Sequence, residues 1–314
     1  MYHIIINPAS RSGKGLRIWQ KEVEPVLKSE KVPYEVHFSE EKGGIEKTVA
    51  SLAASSAKDS QLTLIILGGD GTMNEAIQGI PTGADVTLGY IPTGSSNDLA
   101  RDLGIPKKPG AALDLILHTG KPRPMDLGRL TYPDGESRCF SVSCGLGYDA
   151  AVCEEVQRSR FKTVLNKIGL GKLSYLVIAL KQLFATKAVS GRLSLDNGEP
   201  IDIGSILFVA GMNHRFEGGG FMFCPEADDS DGILDLCTAG NLPKLLVLLA
   251  LPTAFKGKHY RFKGIIPYRA EQFILESDTP LWVHTDGEVS RRADRIVVTC
   301  ERHAVQIITP DTEP

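Results

Sequence analysis

Apolar and polar positions along the first third of the chain alternate between two rhythms. Short apolar runs at 2–6, 34–38, 62–67 and 86–91 have the length and composition of buried strands. Between them, stretches 16–30, 44–57, 73–80, 97–103 and 109–118 space their apolar residues as helices do. This alternation predicts an α/β domain, a doubly wound Rossmann-like sheet, over residues 1–125. After Met125-Asp126-Leu127 the strands come in pairs. Segments 126–132, 137–144, 191–195, 201–210, 233–238, 270–276, 281–285 and 295–299 predict an antiparallel β-sandwich domain over 126–303. Its hairpin turns are Pro133-Asp134-Gly135 and Asp196-Asn197-Gly198, and inserted helices are expected at 149–168, 172–186 and 242–254.

The loops after the predicted parallel strands carry the chemistry. Gly68-Gly69-Asp70-Gly71 ends one strand and opens a helix, so free N–H groups and glycine backbone can close on a phosphate. A carboxylate in that place repels phosphate unless a cation or a proton stands between them. Asp70 therefore points to metal-assisted phosphoryl transfer. The plain alternative is a tight strand-to-helix turn capped by an aspartate. The next strand runs into Pro92-Thr93-Gly94-Ser95-Ser96-Asn97-Asp98, which adds hydroxyls and a second carboxylate. The first strand runs into Asn7-Pro8-Ala9-Ser10-Arg11-Ser12-Gly13-Lys14-Gly15. None of the three is a Walker A loop or a Gly-x-Gly-x-x-Gly turn. Because parallel strands share one carboxyl edge, the three loops are expected to meet in one crevice.

Composition narrows the class. With 314 residues, 42% hydrophobic and 23% charged, the chain has the make-up of a globular protein long enough for two domains, and disorder is excluded. Its six cysteines form no Cys-x-x-Cys pair, which argues against zinc and against a disulfide scaffold. Residues 1–7 read as a first strand and not as a signal peptide, so a cytoplasmic location is expected. The longest apolar run, Leu245–Leu251, falls far short of the ~20 residues a spanning helix needs. From Val156 to Leu195 there is no Asp or Glu, yet Arg158, Arg160, Lys162, Lys167, Lys172, Lys181, Lys187 and Arg192 lie there among apolar residues. Segment 242–263 repeats the apolar-then-basic design. Both suit peripheral contact with an anionic membrane surface; the alternative is packing of the apolar sets on the sandwich with the basic sets solvated. A net charge of −3 and 7% aromatic residues speak against nucleic acid.

Asn7-Pro8-Ala9-Ser10, Gly68-Gly69-Asp70-Gly71-Thr72-Met73-Asn74-Glu75 and Pro92 to Arg101 together resemble the diacylglycerol kinase catalytic domain family. Pro225 to Asp235 resembles the family's metal-site segment, and His284-Thr285-Asp286-Gly287-Glu288 its C-terminal Asp-Gly-Glu. The resemblance implies an ATP- and Mg2+-dependent lipid kinase acting on diacylglycerol or a related lipid alcohol, with 304–314 returning to the first domain as an added strand. It places ATP on Asn7, Pro8, Ala9, Ser10, Lys14, Ser39, Gly68, Gly69, Asp70, Gly71, Thr72, Met73, Asn74 and Ser95. Asn7 and Asn74 are expected to donate their amides to phosphate. Asp70 and Asp98 would hold Mg2+ through water, joined by Asp231. A structural cation is implied at the carbonyls of Asp228 and Ile233 and the Asp231 side chain. Asp286 is the implied general base with Glu288 as second choice, Lys181 an implied contact to the lipid, and a homodimer is compatible. Arg11 and Ser12 depart from the family's first motif, and Ser95 replaces a common Thr with another hydroxyl.

Two other classes use parts of this pattern. An NAD kinase-like phosphotransferase shares Gly-Gly-Asp-Gly, and a non-enzymatic lipid or nucleotide sensor would bind without releasing ADP.

Overall fold

The computed structural model describes residues 1–39, 43–55, 61–158 and 171–311. Strands β1 (Tyr2–Ile6), β2 (Tyr34–Phe38), β3 (Leu62–Gly68) and β4 (Val86–Pro92) pair in parallel in the order β4-β3-β1-β2. Consecutive residues Ile4-Ile5-Ile6 and Leu64-Ile65-Ile66-Leu67 are all enclosed. Since neighbours on a strand point to opposite faces, the sheet is covered on both. Helices α1 (Ser10–Ile18), α2 (Glu24–Ser29), α3 (Gly44–Ser55), α4 (Asp70–Gln78), α5 (Asp98–Asp102) and α6 (Pro109–Asp114) complete this part. Helix α1 begins at Ser10, inside the stretch expected to be a loop, and reaches α2 through a π-turn at Trp19–Val23.

The second part holds β5 (Gly120–Thr131), β6 (Ser137–Phe140), β7 (Ser143–Gly147), α7 (Tyr148–Arg158), a helix over Gly171–Ala185, β8 (Val189–Leu195) and β9 (Ile201–Met212). It continues with β10 (Phe216–Glu217), β11 (Phe221–Met222), β12 (Leu234–Gly240), a helix over Lys244–Ala254, β13 (Ile265–Ala270), β14 (Gln272–Thr285) and β15 (Glu288–Pro310). A core of residues such as Phe140, Leu146, Leu193, Val209, Leu236, Phe273, Leu275 and Ile296 is enclosed by these strands. Asp196 and Asn197 both have positive φ, 48° and 62°, as a two-residue hairpin turn requires. The predicted helix 149–168 is described only as far as Arg158, and 159–170 lie outside the described residues, as do 56–57 of the predicted helix 44–57 and 312–314 of the returning segment.

The returning strand expected near the end of the chain joins the two parts: pairing runs unbroken as β13-β12-β9-β7-β14-β15-β4-β3-β1-β2, with β10 and β11 as a separate two-stranded ladder. The join is β15, 23 residues long, which pairs antiparallel with β14 and β5 and then parallel with β4 at Gln306↔Thr87 and Ile307↔Leu88. In the sequence it reads as two pieces, 295–299 and 305–308, because Glu301-Arg302-His303 interrupts the alternation. His303 takes φ 49°, and the β5 register shifts between Glu301 and Val305.

Candidate active site

The three loops meet at the carboxyl edge of the parallel strands. Asn7 donates its side-chain amide to Thr72 Oγ1 at 3.3 Å, and the Ser10 and Thr93 hydroxyls are 3.0 Å apart. Gly69 and Gly94 lie back to back: a Cβ on Gly94 would be 2.8 Å from the Gly69 Cα and 2.6 Å from Asn97 Oδ1. Gly15 is similarly committed, because a Cβ there would fall 2.3 Å from Ser10 Oγ. Only glycine allows loops to close to this distance.

Asp70 occupies the first turn of α4, part-buried. Its carboxylate accepts the Asp98 N–H at 3.2 Å and the Tyr90 hydroxyl at 3.4 Å. Burial first, and then the Asp98 charge, push its pKa up to about 6. Among the described residues no basic side chain pairs with it, so an acid has been placed where only a cation or a proton relieves it. Asp98 is buried and also raised by burial, but it is better compensated. It accepts Arg101 Nη1 at 2.6 Å and the Gly219 N–H at 2.7 Å.

The Asp286-Gly287 turn joins β14 to β15 with φ 49° and 79°, a two-residue hairpin in the left-handed region. Asp286 was expected to be the general base, and both of its carboxylate oxygens accept hydrogen bonds within the protein. One carboxylate oxygen accepts Asn74 Nδ2 at 2.9 Å, the Ser141 N–H at 2.9 Å and the Ser141 hydroxyl at 3.1 Å. The other accepts the N–H groups of Val142 at 2.8 Å and Ser143 at 3.0 Å. A carboxylate held by five donors fastens the turn to the β6–β7 connection. Glu288 is placed differently. Its Oε1 lies 3.5 Å from where a Gly71 Cβ would stand, and its Oε2 is 3.4 Å from Gln157 Nε2.

Two residues expected at the nucleotide are engaged within the protein. Asn74 is buried and gives its amide to Asp286 and to the Cys139 carbonyl, so it links α4 to the second part and not to phosphate. Met73 is wholly buried core, and the N–H groups of Thr72 and Met73 are bonded to the Gly69 carbonyl. Those of Asp70 and Gly71 belong to the first turn, which has no intrahelical acceptor for them. Pro8 and Ala9 lie in the first loop, where the Ala9 N–H caps Asn7 Oδ1 at 3.0 Å. Lys14 is exposed on α1, Ser95 is exposed in the third loop, and the Ser39 N–H extends the β1–β2 ladder to the Ile6 carbonyl at 2.9 Å.

The acidic segment forms a second centre. Asp231 accepts the Ile233 N–H at 2.9 Å and Arg269 Nη2 at 2.6 Å, while Asp228 accepts the Ser230 N–H and hydroxyl. Asp70, Asp98 and Asp231 do not form a directly ligating group of three among the described residues. Among the described residues, His3, Glu35 and His37 on β1 and β2 are the only group of three such side chains drawn within one ion's reach. Lys181 pairs with Glu155 of α7 at the surface.

Sequence reading passed over Gly218-Gly219-Gly220, whose residues have φ of 65°, 88° and 111° and which ties the β10–β11 hairpin to Asp98 and Arg101. A run of three glycines was the available clue. It also passed over Asp149 and Glu217, which meet His284 of that motif behind the Asp-Gly-Glu turn from distant segments.

The family model "Diacylglycerol kinase catalytic domain" matches residues 1–130, and "YegS C-terminal NAD kinase beta sandwich-like domain" matches 141–309. A diacylglycerol kinase of Mycobacterium tuberculosis is 33% identical over 238 residues, 76% of this chain and 73% of its own length. A crystal structure of a diacylglycerol kinase from Bacillus anthracis superposes with TM-score 0.70 at 20% identity, covering 99% of this chain and 97% of that one. Yeast NADH kinase shares the fold with TM-score 0.52 at 10% identity, covering 98% and 83%. The chain thus has an NAD kinase-like two-domain fold with a β-rich second domain, and it belongs to the diacylglycerol kinase catalytic domain family.

Proposed function

We propose that this protein transfers the γ-phosphoryl group of ATP, with Mg2+, to the hydroxyl of diacylglycerol or a related lipid alcohol. The observation that carries the reading is the approach of Glu288, from the second part, to Gly71 in the phosphate-type loop of the first. A base from one half and an anion cradle from the other meet across the crevice. The first-turn N–H groups of Asp70 and Gly71, with Ser10 and Ser95, receive the nucleotide phosphates, and Lys14 adds positive charge. Asp70 holds Mg2+, which when bound neutralises phosphate charge; its uncompensated, raised carboxylate fits that role. Glu288 accepts the lipid hydroxyl proton, and Asp286 anchors the turn that presents it.

The lipid arrives from a membrane surface. Phe184, Leu245, Leu249 and Phe255 are each at least half exposed. Lys244 Nζ donates to the carbonyls of Phe184 at 2.7 Å and Thr186 at 2.9 Å, which ties the end of the helix Gly171–Ala185 to the helix Lys244–Ala254. Lys187, Lys256 and Lys258 border this apolar surface in the sequence. No helix among the described residues is long and apolar enough to cross a bilayer, so contact from one side is the matching mode.

Incubation of the purified protein with γ-labelled ATP, Mg2+ and mixed micelles of diacylglycerol, phosphatidylglycerol or a sphingoid base tests this. Labelled lipid is expected, and Glu288→Gln should lower kcat by roughly 100-fold or more. No labelled lipid in neutral and anionic micelles alike would overturn the kinase reading. Labelling of NAD in place of lipid would favour the NAD kinase-like alternative.

A further inference from the structure

His284 lies two positions before Asp286 and is completely buried. Its Nδ1 is 3.1 Å from the Gly287 N–H, which donates to it. Its Nε2 is 3.2 Å from Asp149 Oδ2 on α7 and 3.5 Å from Glu217 Oε1 on β10. Strand β7 passes so close that a Cβ on Gly145 would be 2.4 Å from Nε2 and 2.0 Å from Asp149 Oδ2. The other face of the turn is gripped by α7, where Gln157 Nε2 donates to the Gly287 carbonyl at 3.0 Å.

We infer that His284 is a positioning residue for phosphoryl transfer: its Nδ1 lone pair holds the Gly287 N–H, and Asp149 and Glu217 lock the ring in that tautomer so that Glu288 is aimed at the phosphate loop. The inference rests on the kinase reading for its catalytic consequence but not for its structural one.

A backbone N–H can only donate, so Nδ1 must be bare and the ring hydrogen must sit on Nε2, between the two acids. The charged groups acting on the ring are Asp149, Glu217 and Asp286. Burial alone would lower the pKa of His284, but the neighbouring acids outweigh it and favour a hydrogen on the ring. The Gly287 N–H leaves that hydrogen on Nε2, facing Asp149 Oδ2 and Glu217 Oε1. A proton on Nδ1 would instead face the Gly287 N–H and release the turn.

The test uses two substitutions of nearly equal size. In His284→Asn the side-chain oxygen overlays Nδ1 and can accept the Gly287 N–H; in His284→Leu nothing can. Hydrogen exchange at the Gly287 amide is expected to accelerate at least ~10-fold in the Leu variant and to stay near wild type in the Asn variant. With diacylglycerol micelles, kcat should fall roughly 100-fold in the Leu variant with the KM for ATP little changed, and the Asn variant should recover most of it. Equal exchange and equal kcat in the two variants would overturn the assignment, because only filling of space would then matter. If the wild type phosphorylates no lipid, the function reading fails, whereas the exchange comparison still decides whether His284 holds the turn.

Discussion

At the scale of single residues, Asp70 shows most clearly how an acid can be unfavourable to the fold and useful to the site. Its folded pKa of about 6 lies above the ordinary value of about 3.9. Its stabilising contribution is therefore complete below pH 4 and is lost as pH rises through 6. Cation-free protein should lose on the order of 2 kcal/mol across that window, and Mg2+ should restore it at pH 7.5. Asp70→Asn is expected to raise the cation-free melting temperature at pH 7.5 by several degrees and to abolish the Mg2+ response. Thermal melts at pH 4.5 and 7.5, with and without Mg2+, check this. A wild-type melting temperature indifferent to Mg2+ would remove Asp70 from the metal site.

At the scale of elements, the crevice depends on loops that touch through their backbones. Gly94→Ala would place a methyl 2.8 Å from the Gly69 Cα, so one loop must retreat. ATP affinity should drop at least ~10-fold while the far-ultraviolet circular dichroism stays unchanged, as titration with a fluorescent ATP analogue can measure. The sequence made these loops legible because glycine, hydroxyl and amide residues at strand ends have local causes. The hairpins at Asp196-Asn197 and Asp286-Gly287 were legible for the same reason, since few residues accept positive φ. What the sequence hid was direction. Asn74 and Met73 sit in the motif, yet one faces Asp286 and the other the core, because α4 turns them away within its first two turns. The Asp149–His284–Glu217 cluster was hidden because its members come from α7, β14 and the two-residue strand β10, and no local pattern links them.

At the scale of the whole molecule, the exposed apolar surface on the helices Gly171–Ala185 and Lys244–Ala254 gives a further expectation. Leu245→Glu combined with Leu249→Glu, at positions 68% and 56% exposed, should abolish sedimentation with phosphatidylglycerol vesicles and leave the melting temperature within about a degree of wild type. Wild-type binding should weaken with added salt as the lysines are screened. Undiminished binding of the double variant would place the membrane contact elsewhere.

Strand β15 has a bearing on how the protein comes into being. During synthesis, β1 to β4 and their helices leave the ribosome first, yet the outer edge of β4 has no neighbour until Gln306 and Ile307 arrive. Asn74 must likewise wait for Asp286, 212 positions downstream. A nascent chain halted between these points would carry an apolar strand edge open to other chains. The sheet of the first part is therefore completed only by the last described strand of the chain.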